Sequence, residues 1–332
     1  MKVYNPTFKT LHTDIIKTIS DVRNKRDFNV EKYINKKTNL INNYLRHCNL
    51  SSCVVAVSGG IDSAIVLGLV AKAAKKTDSP IKKIVSVCLP VYQSAGVTGQ
   101  DDATKRGIEV IKKFNLEPTV IDLSETHQTL VNAVDNGVKA KGDNWATGQV
   151  ASYVRTPVLY YITSHLTQAG TSGLLCGTTN RDEGAYLGYV GKASDGMVDL
   201  QIISDLHKSE VYKIAKALDV PTSIINATPS GDMFDGRVDE EVFGAPYDFV
   251  ELYLNYLTYT EEEKKNIFNS LCNEAQSQFT ELQSHLEALH KYNGHKYLVD
   301  SPAIHLDIYD SAVPNGWNDN RQMITDRSGF KF

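Results

Sequence analysis

Cys53-Val54-Val55-Ala56-Val57-Ser58-Gly59-Gly60-Ile61-Asp62-Ser63-Ala64-Ile65-Val66 joins a β-branched run to an apolar helical pattern through two adjacent glycines. CVVAVS is short and apolar, as a buried strand is. Past Gly60 the period turns helical, with Ile65, Val66, Leu69, Val70 and Ala73 on one face and Asp62 or Ser63 as the expected cap. Successive glycines reach backbone conformations closed to other residues and bring main-chain N–H groups close to a ligand. The helix that follows aims its positive end at the same point, which suits a phosphate. Ser58 and Ser63 add hydroxyls at either lip. A Walker A loop would need a lysine after the glycines, and the dinucleotide fingerprint G-x-G-x-x-G is missing. Asp62 would repel a phosphate unless a cation lay between them. Mg²⁺, which takes carboxylates together with phosphate oxygens, resolves that conflict.

The same unit recurs outward from this loop. Residues 28–47 have helical spacing, 84–90 read as a strand, Asp101 to Phe114 as a helix and 119–123 as a strand. A long helix is expected from Thr147 to Gln168, then a fourth buried strand at 173–178. Such alternation predicts an α/β fold, a doubly wound parallel sheet with helices on both faces. Ligands of such sheets bind at the carboxyl ends of the strands, near the point where strand order reverses. That rule singles out the segments starting at Ser58, Leu89, Leu123 and Gly177. Residues 260–290 form a polar helix candidate and 291–332 read as irregular. The expected organisation is a domain over 1–259 with a C-terminal extension, 260–332, packed on it.

Composition narrows the class. The 332 residues are 42% hydrophobic and 22% charged, ordinary for a globular chain. With 35 basic and 39 acidic side chains the net charge is −4, so the basic surplus of a nucleic-acid binder is missing and no nucleic-acid partner is expected. No apolar run reaches a membrane span of roughly 20 residues, and the first residues lack the apolar centre of a signal peptide. A cytoplasmic location without membrane contact is the expectation. Cys48, Cys53, Cys88, Cys176 and Cys272 form no C-x-x-C pair, which argues against a disulfide framework or a zinc ribbon. Cys53, Cys88 and Cys176 sit in apolar runs and read as core.

S-G-G-x-D-S, here Ser58 to Ser63, resembles the signature of the ATP pyrophosphatases, which split ATP between its α- and β-phosphates. Gly177-Thr178-Thr179-Asn180-Arg181-Asp182-Glu183 resembles the G-T-x-N-x-x-E segment of the NAD synthetases within that group. Residues 187–218 resemble their L-G-Y-x-x-K-x-x-D-G-x-x-D…D-L-x-K stretch, 229–244 their P-[ST]-x-[DE]…D-E-x-x-x-G loop, and His295-Lys296 their C-terminal H-K pair. The resemblance runs from about 28 to 256. It implies an adenine nucleotide alpha hydrolase-like sheet on which Ala56, Val57, Ser58, Gly59, Gly60, Ile61, Asp62 and Ser63 cradle the ATP phosphates. Thr178, Lys208 and Ser230 would also contact ATP. Asp62 and Glu183 match the Mg²⁺ ligands and, with Lys208, the catalytic set. Arg155, Lys192, Asp199, His295 and Lys296 fall on the side that holds deamido-NAD. A homodimer is implied as well.

The implied reaction is amidation of deamido-NAD with ATP, through an acyl adenylate. Only about 50 residues precede the ATP loop, so free ammonia is the expected nitrogen donor. Loops 90–101 and 228–241 are the lid candidates. One departure bears on the acceptor: anchored on Leu159-Tyr160, Tyr153 stands where the family carries an arginine. Two alternatives therefore stay open, the same chemistry on another acid such as nicotinate mononucleotide, or a tRNA-modifying ATP pyrophosphatase.

Overall fold

Strand β1 (Ser52–Ala56) pairs in parallel with β2 (Lys83–Cys88) on one side and with β4 (Gly173–Gly177) on the other. Strand β3 (Pro118–Val120) extends the sheet beyond β2, and β5 (Leu200–Gln201), β6 (Ile304–Asp307) and β7 (Met323–Thr325) extend it beyond β4. The order is β3-β2-β1-β4-β5-β6-β7, parallel throughout. These features come from a computed structural model that describes residues 10–92, 99–231, 236–296, 303–309 and 323–325. The doubly wound α/β expectation holds. Chain order reverses between β1 and β4, so the loops leaving these two strands flank the crevice where such sheets take ligands.

The helix Ile61–Ala74 buries eleven of its 14 residues. It packs between the sheet and the helices Val30–His47 and Lys208–Ala217. A fully buried Leu, Ile or Val contributes roughly 1.5–3 kcal/mol, so Ile65, Leu67, Leu69 and Val70 alone anchor the helix, and hence the glycine loop, rigidly. A second cluster lies under the other wall of the crevice. Ile15, Ile19 and Val22 of the helix Thr13–Arg26 meet Phe249 and Tyr253 of Tyr247–Leu257 and Phe279 and Leu282 of Asn273–Asn293.

Several local expectations need correction. Gly60 is the cap of Ile61–Ala74, and neither Asp62 nor Ser63 caps it; both lie inside the helix, where the Asp62 carboxylate is turned outward to other partners. The single helix expected from Thr147 to Gln168 is two, Asn144–Tyr153 and Arg155–Gln168, jointed at Val154 ahead of Pro157. The 260–290 helix is also two, Glu261–Ser270 and Asn273–Asn293, each beginning a new turn behind its own cap. Residues 291–332 are not simply irregular, since β6 and β7 come from them. The two-residue strand β5 carried no periodic signal. Cys53, Cys88 and Cys176 are buried, as read. Positions 93–98 and 232–235 of the two lid candidates lie outside the described residues.

Candidate active site

The β1 ladder continues one residue past the strand, through Val57 N–H to the Val87 carbonyl at 2.8 Å, and then the loop turns away. Gly59 has φ +82, and a β-carbon there would stand 2.1 Å from the Ala103 carbonyl oxygen. Glycine is thus required twice over, by backbone conformation and by the close approach of the helix Gly99–Lys113. The loop braces itself: Ser63 Oγ accepts from Ser58 N–H at 3.2 Å and donates to the Gly60 carbonyl at 3.0 Å. Ser58 Oγ accepts from Gly60 N–H at 3.3 Å. Arg106, from the facing helix, donates to the Gly59 carbonyl at 3.1 Å.

Across the switch point, the chain leaving β4 makes the short helix Arg181–Gly184. Asn180 ties this segment to the loop. Its Oδ1 caps Glu183 N–H at 3.1 Å while its Nδ2 donates to Asp62 Oδ1 at 2.9 Å. Lys208, at the start of Lys208–Ala217, then reaches both acids, with Nζ 2.6 Å from Asp62 Oδ2 and 2.9 Å from Glu183 Oε1. Two carboxylates 121 positions apart in sequence thus converge on one cationic centre. Burial alone would push the Lys208 ammonium down, but Asp62 and Glu183 outweigh it and hold the group above its ordinary range. Burial pushes Glu183 up to about 7 in spite of Lys208, with repulsion from Asp62 and Asp239 acting the same way.

The segments carrying Glu183 and Lys208 are pinned together from behind. Asp182 Oδ2 accepts Lys208 N–H at 2.8 Å, and Asp182 Oδ1 meets His207 Nδ1 at 2.6 Å. Arg181 Nη1 and Asn255 Nδ2 lie 2.6 and 3.0 Å from His207 Nε2. Both of these can only donate, so Nε2 accepts and Nδ1 carries the proton to Asp182. Burial foremost, with Arg181 and Arg26 adding to it, holds His207 neutral, well below its ordinary value.

Ala56 to Ser63, Thr178, Glu183, Lys208, Ser230 and Arg155 all line one cleft. Arg155 spans its rim, donating to the Leu89 carbonyl at 3.0 Å and to Gln100 at 3.3 Å. Lys192, His295 and Lys296 come together outside that wall, with Lys192 Nζ 3.3 Å from the His295 carbonyl and Lys296 Nζ 3.0 Å from the Gly188 carbonyl. Asp199 does not face the cleft. Its oxygens take Leu175 N–H at 2.7 Å and the Tyr160 hydroxyl at 3.2 Å. Sequence reasoning passed over Asn180, Arg106, Asp239 and Tyr247. Asn180 and Asp239 stand inside the quoted motifs and were legible there; Arg106 and Tyr247 carry no local pattern.

The acids fit a divalent cation. Asp62 and Glu183 already share one positive charge, and Asp239 is buried on the same wall beside the hydroxyls of Tyr189 and Tyr247. Asp62 and Glu183 would hold Mg²⁺ beside phosphate seated on the loop amides.

A glycine loop at the switch point, faced by two acids and a lysine, gives this parallel α/β sheet a cleft of the phosphate-binding kind. The sequence profile of the NAD synthase family matches residues 33–297. The NH(3)-dependent NAD(+) synthetase of Carboxydothermus hydrogenoformans is 31% identical over 226 residues, covering 68% of this chain and 86% of that protein. Among solved structures, the NMN synthetase of Francisella tularensis superposes with a TM-score of 0.64 at 22% identity, over 81% of this chain and 96% of the other. The NH3-dependent NAD synthetase of Campylobacter jejuni superposes with a TM-score of 0.57 at 21% identity, over 80% and 96%. The chain belongs to the NAD synthase family.

Proposed function

We propose that this chain amidates the nicotinate carboxyl of deamido-NAD with ammonia, at the expense of ATP cleaved to AMP and pyrophosphate. The observation that carries the reading is Lys208 Nζ between Asp62 and Glu183 at the mouth of the glycine loop. In the first step a substrate carboxylate oxygen attacks the α-phosphorus, pyrophosphate leaves, and an acyl adenylate forms. Negative charge gathers there, so the protein's part is positioning and neutralisation. The loop amides and the hydroxyls of Ser58 and Ser63 face the phosphates, Lys208 supplies fixed positive charge, and Arg106 and Arg155 line the cleft behind them. Mg²⁺, when bound by Asp62 and Glu183, adds charge neutralisation on the phosphate oxygens. In the second step ammonia attacks the acyl carbon and AMP departs with the electron pair of the broken C–O bond. No nucleophilic side chain is required.

Ammonia as donor is supported by the names of the curated relatives. Incubation with ATP, Mg²⁺ and deamido-NAD is expected to yield NAD, AMP and pyrophosphate with ammonium and none with glutamine. Turnover with glutamine alone would overturn the donor. A second acceptor is favoured by one observation: Tyr153, not an arginine, borders the 188–196 loop, its ring 3.5 Å from where a Gly191 β-carbon would stand. Nicotinate mononucleotide in the same assay decides between the two, and the deamido-NAD reading expects the higher kcat/KM for the dinucleotide. The family match sets the tRNA-modifying alternative aside.

A homodimer belongs to this reading. Leu130, Val134 and Val138 make an apolar stripe at every fourth residue of the helix Ser124–Val138 and are 43%, 50% and 65% exposed. Trp145 and Tyr161 on the next two helices are 51% and 66% exposed. An apolar stripe exposed along one helix face supports an interface there. Sedimentation at micromolar concentration is expected to give twice the chain mass, and a monomer would remove the dimer from the reading. No helix among the described residues is long and apolar enough to cross a membrane. A cytoplasmic site of action goes with the proposed soluble substrates.

A further inference from the structure

We propose that His290, Asn293 and Lys296, at the end of the helix Asn273–Asn293 and in the turn after it, are positioning residues for the acceptor acid. They clamp the segment 186–188 and so fix the wall against which that acid is held. The inference rests on the amidation reading and gives the C-terminal extension a part in it.

The chain between the short helix Arg181–Gly184 and β5 forms neither helix nor strand. Its buried carbonyls must therefore find donors elsewhere, because a buried carbonyl left alone is costly. Three successive ones find them along one helix. His290 Nδ1 donates to the Tyr186 carbonyl at 2.7 Å, Asn293 Nδ2 to that of Leu187 at 2.7 Å, and Lys296 Nζ to that of Gly188 at 3.0 Å. Residues three apart are neighbours on the surface of an α-helix. The 3-10 turn Gly294–Lys296 keeps the third donor in line, since three residues per turn eclipse i and i+3. The clamp is buried at its centre, with Leu187 0% and Asn293 4% exposed. At its near end the His290 ring lies flat on that of Tyr186, with 3.8 Å between centroids and 4° between planes. Lys192, farther along the clamped chain, returns a bond to the His295 carbonyl at 3.3 Å.

The other side of this chain is cleft wall, formed by Tyr189, Ser194, Asp195 and Val198. The crevice opens between the loops leaving β1 and β4. With ATP on the β1 loop, an acid that must reach its α-phosphorus lies along the β4 side, which the clamped chain continues. The ATP side has other supports. Ser63 and Arg106 brace the glycine loop, while Lys208 and Tyr247 hold the Glu183 carboxylate. Loosening the clamp then lowers the share of molecules whose wall stands ready for the acid. Apparent affinity for the acid falls in proportion, and ATP binding is spared.

The test is steady-state NAD formation by the full chain at saturating ammonium and Mg²⁺, with deamido-NAD and ATP varied in turn. Asn293→Leu keeps the volume and removes the donor. It is expected to raise the KM for deamido-NAD about five- to tenfold, the worth of one buried hydrogen bond, while the KM for ATP stays within about twofold of the parent. His290→Phe keeps a ring on Tyr186 without the N–H, and is expected to raise the same KM about threefold or more. His290→Asn returns an N–H near the place of Nδ1 and is expected to recover part of that loss. Equal rises in both KM values, or unchanged KM values whatever the melting temperature, overturn the clamp's part in the reaction. If Asn293→Leu does not fold, the two His290 variants decide. Absence of NAD from the parent's products overturns the amidation reading itself, and the clamp's role with it.

Discussion

Lys208→Met is expected to lower AMP and pyrophosphate release by about 10²–10³-fold, the scale seen when one preorganised donor to a developing charge is removed. Lys208 is 3% exposed and holds two acids at 2.6 and 2.9 Å, so it has no freedom to serve as a mobile surface charge. Its main-chain N–H is fixed by Asp182, and the segment behind it by His207. The side chain therefore presents its charge at one point, which is what stabilising a phosphoryl-transfer transition state requires. Methionine keeps the length and the apolar stem but leaves Asp62, Glu183 and Asp239 facing one another without compensation. Lys208→Arg separates charge from geometry. It restores compensation but not the compact point charge, so it is expected to keep the parent's melting temperature while turnover stays at least about tenfold down. AMP release by both variants, at saturating ATP and Mg²⁺, is the measurement. Retention of more than about a tenth of the parent rate by Lys208→Met would remove the lysine from the chemistry.

The sequence made the glycine-loop side of the cleft legible because it is built from contiguous segments. Strand, glycine pair and helix follow one another between Cys53 and Ala73, and each step has a local cause in period, conformation or helix polarity. Glu183 was legible for the same reason, as a motif residue just past β4. The acceptor side was less so, because its geometry comes from segments that meet only in the fold. Asp199 carries a motif position, yet its oxygens are taken by Leu175 N–H and Tyr160. Asp182 and His207 look like charged residues beside motif letters, and only the packing of Arg181–Gly184 against Lys208–Ala217 shows that they fasten Glu183 to Lys208. The shortest strands failed for a different reason. β5 has two residues and β7 three, too few for a period to register, and both are set by pairing with neighbours already in place.

Lys37→Met is expected to destabilise the fold by about 3–5 kcal/mol, the usual cost of stranding one member of a buried ion pair. Lys37 is fully buried, and its Nζ lies 3.0 Å from each oxygen of Asp205. It also donates to the Leu306 carbonyl in β6. Asp205 takes the Tyr33 hydroxyl at 2.7 Å and Ile308 N–H at 2.9 Å, so this one pair joins the helix Val30–His47 to the far strands of the sheet. Burial raises the Asp205 carboxyl in spite of Lys37, which shows how much the charge depends on its partner. Without the lysine, Asp205 must ionise unpaired or bind a proton, and the Leu306 carbonyl loses its donor. Against a total stability of about 5–15 kcal/mol the loss is large, and it corresponds to a melting temperature roughly 4–7 °C lower. The double variant Lys37→Met/Asp205→Leu removes the charge along with its partner and is expected to recover part of the loss, because a buried pair replaced as a whole is often close to neutral. Urea unfolding of the parent, the single and the double variant measures both effects. A single variant within about 1 kcal/mol of the parent would mean that water reaches Asp205 and that β6 is held by its strand pairing alone.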